Sequence, residues 1–381
     1  MGRERAVRAA VLGLLALAAG IASITPVAAE NSMEQARPIV IAHRGASGYV
    51  PEHTLAAYFI AAQQGADFLE PDLVMTRDGV LVARHENEIS ATTDVASRAE
   101  FAARKATRTI DGQSVTGWFT EDFTLAELKT LRARERIPQL RPANARFDGM
   151  FEIPTLEEIL ALLQGLDAQR RAAARALGAP PPAPLGLYPE TKHPSYFASR
   201  GLPMEQALVE TLHRWGYAGR DAPVFIQSFE TGNLKALRAL TQLPLIQLLA
   251  ADGRPWDLEA AGDHRTYRDL ATPEGLREIA RYADGIGPEK TMIVARDAAG
   301  ALASPTRLVQ DAHAAGLRVH PWTFRAENHF LPGPQRSAGP PAERGDLAGE
   351  LQPFLQGGID GFFTDHPDVG VRARDAHARG R

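Results

Sequence analysis

Eight short apolar runs punctuate the 381-residue chain, at 38–43, 68–75, 185–192, 224–229, 243–250, 284–288, 317–324 and 359–365. Patterns of helical period lie between most of them. Strands alternating with helices call for a parallel sheet. Many runs lead into polar or charged residues at their C-terminal ends: His43-Arg44, Glu70 and Asp72, Glu190 and Lys192, Gln227, Trp322, Asp365. Eight strands with their chemistry gathered at one end predict an α/β protein, a (β/α)8 TIM barrel with its active site on the C-terminal face. The competing reading is an open doubly wound sheet, and no Gly-x-Gly-x-x-Gly fingerprint supports it. A ninth run, 81–85, follows the turn signal Asp78-Gly79 and reads as a hairpin arm folding back from the second strand. That brings His85 toward Glu70 and Asp72.

Thr54 caps a helix over 55–64 that Gly65 can end. A second helix starts at Thr155, with Glu158 in capping-box position, and runs to about Leu177 before Pro180-Pro181-Pro182 breaks it. Segment 89–184 is too long for a barrel loop. It is expected as an insertion after the second strand and its hairpin, packed beside the barrel mouth. Segment 331–345, rich in Pro and Gly, follows the seventh strand onto the catalytic face as a lid or a surface loop. From Arg372 onward a polar, flexible tail is expected.

Residues 1–29 differ from the rest. Arg3, Arg5 and Arg8 precede an apolar stretch over 9–24, closed by Pro26-Val27-Ala28-Ala29. This reads as a secretory signal cleaved near Ala29; the alternative, a membrane anchor, needs ~20 apolar residues. Residues 30–381 then form one barrel domain, periplasmic or secreted, with no stable membrane anchor. Without cysteine the chain has no disulfides and relies on its core. Hydrophobic residues make up 44% and charged ones 23%, a soluble globular profile. The net charge is −4 with no basic stripe, which argues against nucleic acid as a partner.

Glu70 and Asp72, two apart in an apolar strand, project to the same face. Burying both is costly unless a cation compensates. Glu190 is the third acid. Three carboxylates, with no His-x-x-x-His or Cys pattern, select a hard divalent cation: Ca2+ first, Mg2+ second, and not zinc. The plain alternative is an ion-pair set with Arg44 or Lys192. Pro71 conflicts with a central strand and fits better at a frayed C-terminal end. His43 and His85 are the candidate acid and base. Arg44 and Lys192 are candidate phosphate contacts. Phe229 and Trp322 can pack against the alkyl part of a substrate, and Gln227 can bond a hydroxyl. Glu52 leans toward supporting the site, His53 toward local packing, and Asp365 toward a structural turn. These groups read as a metal-dependent hydrolase.

The segments His43-Arg44-Gly45-Ala46-Ser47-Gly48-Tyr49, Pro51-Glu52-His53-Thr54, Leu69-Glu70-Pro71-Asp72-Leu73-Val74-Met75, Val82-Ala83-Arg84-His85, Tyr188-Pro189-Glu190-Thr191-Lys192 and Gly361-Phe362-Phe363-Thr364-Asp365 carry a resemblance. Together they resemble glycerophosphodiester phosphodiesterases, most closely the exported bacterial type. The resemblance implies a barrel that cleaves glycerophosphodiesters to an alcohol and sn-glycerol 3-phosphate. It implies a divalent cation on Glu70, Asp72 and Glu190, acid–base work by His43 and His85, and phosphate contacts from Arg44 and Lys192. A glycerol hydroxyl would attack phosphorus, and water would open the cyclic phosphate. The chain departs from the family in one place: Glu86 follows the second histidine where aspartate is usual. A longer side chain there orients the imidazole less well. Two other functions fit parts of this pattern. A phospholipase D-like lyase on choline lipids needs a more apolar mouth. A non-catalytic phosphodiester-binding protein needs Arg44 and Lys192 but not the histidines.

Overall fold

The strands run in chain order β1 Ile39–His43, β2 Phe68–Glu70, β3 Asp72–Met75, β4 Leu81–Ala83, β5 Ala106–Ile110, β6 Gln113–Gly117, β7 Gly186–Leu187, β8 Glu190–Thr191, β9 Ile226–Ser228, β10 Leu245–Leu249, β11 Gly285–Pro288, β12 Arg318–Val319 and β13 Gly361–Thr364. The computed structural model describes residues 37–380, and the expected leader over 1–29 lies outside the described residues. Two apolar runs are each split by a proline. Pro71 separates β2 from β3, and Pro189 separates β7 from β8, because proline has no N–H for the ladder. Their carbonyls still accept, from Glu190 N–H and Gln227 N–H at 2.9 Å each, so the sheet continues across both breaks.

β1 lies between β13 and β2, and every barrel pair is parallel. The ring continues from β2–β3 to β7–β8, then through β9, β10 and β11 to β12. It closes where Phe324 bridges Thr364 and Asp360 N–H donates to the Val319 carbonyl. The eight positions make a (β/α)8 barrel. Its interior is filled by Ile41, Phe68, Tyr188, Phe225, Ile246 and Phe363, all buried. Tyr188 stacks on Phe225 at 5.1 Å between centroids, and its hydroxyl meets His320 Nδ1 at 2.8 Å. Each such buried aromatic contributes about 1.5–3 kcal/mol, which makes this layer a firm floor for whatever the strand ends carry.

The hairpin arm is as expected: β4 pairs antiparallel with β3, Leu73 facing Ala83. Thr54 caps the helix Leu55–Gln63. Thr155 and Glu158 form the reciprocal capping box of the helix Leu156–Ala176. That helix follows the hairpin and packs on Leu55–Gln63 and on β4, as a barrel helix does. The expected insertion over 89–184 is therefore too long at its C-terminal end; what packs over the mouth is roughly residues 89–153. This shorter segment has its own antiparallel pair, β5–β6, and a small core in which Phe101 meets Phe123 edge-on and the Trp118 indole donates to the Phe101 carbonyl. Segment 331–345 is pinned to the first barrel loop: Arg344 lies over the Tyr49 ring and donates to the Gly48 carbonyl. The expected flexible tail is instead the end of the helix Pro367–Arg379, whose buried Arg374 bonds Asp67. No helix among the described residues is long and apolar enough to cross a membrane.

Candidate active site

Glu70 ends β2, Asp72 opens β3 and Glu190 opens the neighbouring β8, and one oxygen from each lies within 4.8 Å of the others. Strand register does this: Asp72 faces Glu190 across β3–β8, and Glu70 faces His43 across β1–β2. All three are buried. Arg44 Nε lies 3.2 Å from Asp72, and Lys192 Nζ lies 3.0 Å from Glu190. These ion pairs, the plain alternative, do coexist with the cluster, but they do not neutralise it. Burial, then repulsion from Asp72, pushes the Glu70 carboxyl well above its usual range. Burial pushes Glu190 up to about 8. Burial also opposes ionisation of Asp72, yet Arg44 and the His53 hydrogen bond hold it well below the usual range. Three converging buried oxygens with too little compensating charge fit a hard divalent cation.

Arg44 reaches this position through a left-handed backbone, φ 62°, with its N–H on the Glu70 carboxylate at 2.7 Å. Gly45 follows at φ 81°, and a Cβ there would sit 2.6 Å from the Ala57 backbone, so only glycine fits. The Arg44 guanidinium also pairs with Glu52, which in turn accepts from Arg136 of the insertion at 3.0 Å. His53, expected as packing, bridges Asp72 and the Tyr58 hydroxyl.

Each candidate histidine has Nδ1 on a carboxylate. His43 Nδ1 lies 2.6 Å from Asp365, and His85 Nδ1 lies 2.8 Å from Glu86. A carboxylate at Nδ1 fixes the proton there and leaves the Nε2 lone pair for chemistry. Burial, then the Arg44 charge, lowers His43 to about 4 and His85 to about 3, so both are neutral at pH 7. His85 Nε2 lies 3.4 Å from Lys192 Nζ. Asp365 is the residue that sequence reasoning misplaced. It accepts from His43, from Arg141 of the insertion at 2.5 Å and from Arg325 at 2.9 Å. The available signal was its place at the end of β13, the strand beside β1.

Gln227 donates to Glu70 at 3.2 Å, where a substrate hydroxyl was expected, and its buried Oε1 has no partner among the described residues. Phe229 and Trp322 meet edge-on at 5.8 Å. Trp322 lines a cavity of about 1200 Å³ with Glu289, Arg325 and Phe330. Phe229 lines a smaller one of about 230 Å³ with Glu190, Lys192 and Tyr267. One cavity thus borders Trp322 and a second borders Phe229, Glu190 and Lys192.

Comparison with known proteins agrees with this geometry. Residues 43–369 match the Glycerophosphoryl diester phosphodiesterase family, from the first strand-end histidine to just beyond Asp365. A glycerophosphodiester phosphodiesterase of Arabidopsis thaliana is 35% identical over 89% of this chain and 86% of its own. One of Haemophilus influenzae is 30% identical over 90% and 91%. Among solved structures, an Oleispira antarctica phosphodiesterase in complex with the product sn-glycerol-3-phosphate shares the fold at a TM-score of 0.57 and 21% identity, covering 89% of this chain and 97% of that one. One from Parabacteroides distasonis does so at 0.53 and 18%, covering 91% and 99%. With a match that takes in every strand-end acid and both imidazoles, the chain belongs to the glycerophosphoryl diester phosphodiesterase family.

Proposed function

We propose that this protein hydrolyses glycerophosphodiesters to an alcohol and sn-glycerol 3-phosphate, with a divalent cation held by Glu70, Asp72 and Glu190. One observation carries the reading: two neutral imidazoles, each fixed at Nδ1 by a carboxylate, stand at the strand ends beside the three-acid cluster. The cation, Ca2+ in the first place and Mg2+ in the second, supplies Lewis-acid polarisation of a phosphoryl oxygen when bound. Arg44 and Lys192 receive the remaining phosphoryl charge. One histidine accepts the nucleophile's proton at Nε2; the other takes up a solvent proton at Nε2 when the anionic phosphodiester binds and gives it to the departing alcohol. Gln227 holds Glu70 in place and keeps Oε1 free for a ligand hydroxyl. Substrate seats on either side of Phe229 and Trp322. The charged lining of the larger cavity, Glu289 and Arg325 among it, favours a deacylated headgroup over a lipid tail. Two carboxylate-bound imidazoles have no use in a mere phosphodiester-binding protein. The leader at 1–29 supports export to the periplasm or beyond.

The test is a product assay. Glycerophosphocholine with Ca2+ or Mg2+ should release glycerol 3-phosphate, a chelator should stop it, and intact phosphatidylcholine should turn over more slowly. Full activity in His43→Ala or in excess chelator would refute the reading.

A further inference from the structure

Glu86 does more than face His85. Its Oε1 lies 2.8 Å from His85 Nδ1, while Oε2 lies 2.8 Å from Nε2 of His193. Nδ1 of His193 lies 2.6 Å from Asp111. Four groups from three separate segments are thus joined end to end. Asp111 forms the β5–β6 turn with Gly112, where both residues have positive φ, 47° and 75°. A Cβ on Gly112 would lie 2.9 Å from the Trp256 ring, so the hairpin tip sits close against that indole. His193 has φ 48°, a left-handed conformation that is unfavourable for a non-glycine residue and needs surrounding contacts to hold it. Two carboxylates grip its ring from opposite sides.

We propose that His193 and Asp111 are positioning residues for His85, with Glu86 as the link, so that the insertion hairpin fixes the orientation and tautomer of one member of the acid–base pair. The inference rests on His85 acting in the proposed hydrolysis. Its physical basis is the length of Glu86. A glutamate has one more rotatable bond than an aspartate, and this one is about half exposed, at 47%. Alone it would sample several rotamers and hold an imidazole loosely. A second hydrogen bond at its far oxygen removes that freedom. His193 can supply it only by donating from both nitrogens, as an imidazolium. Although burial disfavours that charge, hydrogen bonds to Asp111 and Glu86 lift its pKa to about 9.

The experiment uses the full chain with Ca2+ and the variants Asp111→Asn, His193→Gln and Glu86→Gln. In each, kcat for glycerophosphocholine should fall about tenfold or more while KM and calorimetric Ca2+ affinity stay within about twofold, since outer partners of a functional group typically matter at that scale. Asp111→Asn combined with His193→Gln should be no slower than His193→Gln alone, because both act through Glu86. Nitrogen-15 NMR of the histidines gives a readout that needs no turnover: His85 should show a protonated Nδ1 in the parent and a mixed tautomer in the variants. Asp111→Asn changes almost no volume at a partly exposed turn, so it remains the deciding variant if His193→Gln does not fold. An inactive parent would refute the hydrolase reading and leave the tautomer result to decide this one. Unchanged His85 signals in Asp111→Asn, or kcat within about twofold of the parent, would overturn it.

Discussion

Asp365 illustrates what a single carboxylate does when it is buried among cations. It accepts from Arg141, Arg325 and His43, and those neighbours hold it ionised despite the burial. An ionised acceptor at Nδ1 both aims the imidazole and stabilises the imidazolium that forms when Nε2 takes a proton. Asp365→Asn keeps the shape but replaces an acceptor with an amide that can present N–H to Nδ1. The wrong tautomer follows, and kcat should drop on the order of 100-fold with KM changed much less. Steady-state kinetics against the parent would check this, with a melting curve to confirm the fold. His43 and Glu190 are legible in the sequence because a polar or charged residue near the end of an apolar run is itself a signal, and Glu70 and Asp72 because two like charges two apart inside such a run are one. Asp365 shows the same signal at 359–365. What cannot be seen there is its partner set, since Arg141 lies 224 residues away.

Local elements are legible because their causes are local. The capping box at Thr155 and Glu158 lies four residues from end to end, and the β3–β4 hairpin announces itself by its turn. Thr155→Ala should therefore cost about 1 kcal/mol of stability by urea melt and leave kcat unaltered, because that helix packs on the outside of the barrel. The insertion is the opposite case. Its grip on the site runs through Arg136 to Glu52, 84 residues apart, and through Asp111 to His193, 82 apart. Hydrophobic period carries no information about which distant carboxylate a guanidinium will meet. For the same reason the helix Leu156–Ala176 could not be assigned to barrel or insertion before its packing was known. The Asp111–His193 contact also sets a pH dependence. The folded pKa of His193 is raised to about 9 from an ordinary 6.5. Its stabilisation is thus fully present below about pH 6.5 and is lost as pH rises through about 9. Chemical melts between pH 6 and pH 10 should show stability falling by at most about 3 kcal/mol from this group. His193→Gln should flatten that slope, and an unchanged slope would count against a charged His193.

For the whole molecule, the barrel trades stability for a site. An apolar floor of Tyr188, Phe225, Phe363 and their neighbours closes the interior below the mouth. Above it, the three acids converge in a place where burial and repulsion from the ionised Asp72 disfavour the charges of Glu70 and Glu190. On the proposed function a native state holding that cluster should bind a divalent cation, whereas the unfolded chain scatters the three acids over about 120 residues of sequence and should not. Binding to the native state alone must raise stability by mass action, about 2.7 kcal/mol when free ion is at 100 times its Kd. Thermal melts with Ca2+ should accordingly shift upward with concentration, and excess chelator should return the midpoint to a common lower value. Glu190→Gln removes one donor and part of the repulsion together. It should melt at or above the parent in chelator, yet gain far less from Ca2+. If Ca2+ and Mg2+ left the parent's midpoint unmoved at millimolar concentration, the three acids would be an ion-pair cluster with Arg44 and Lys192, and the source of Lewis acidity would have to be sought elsewhere in the fold.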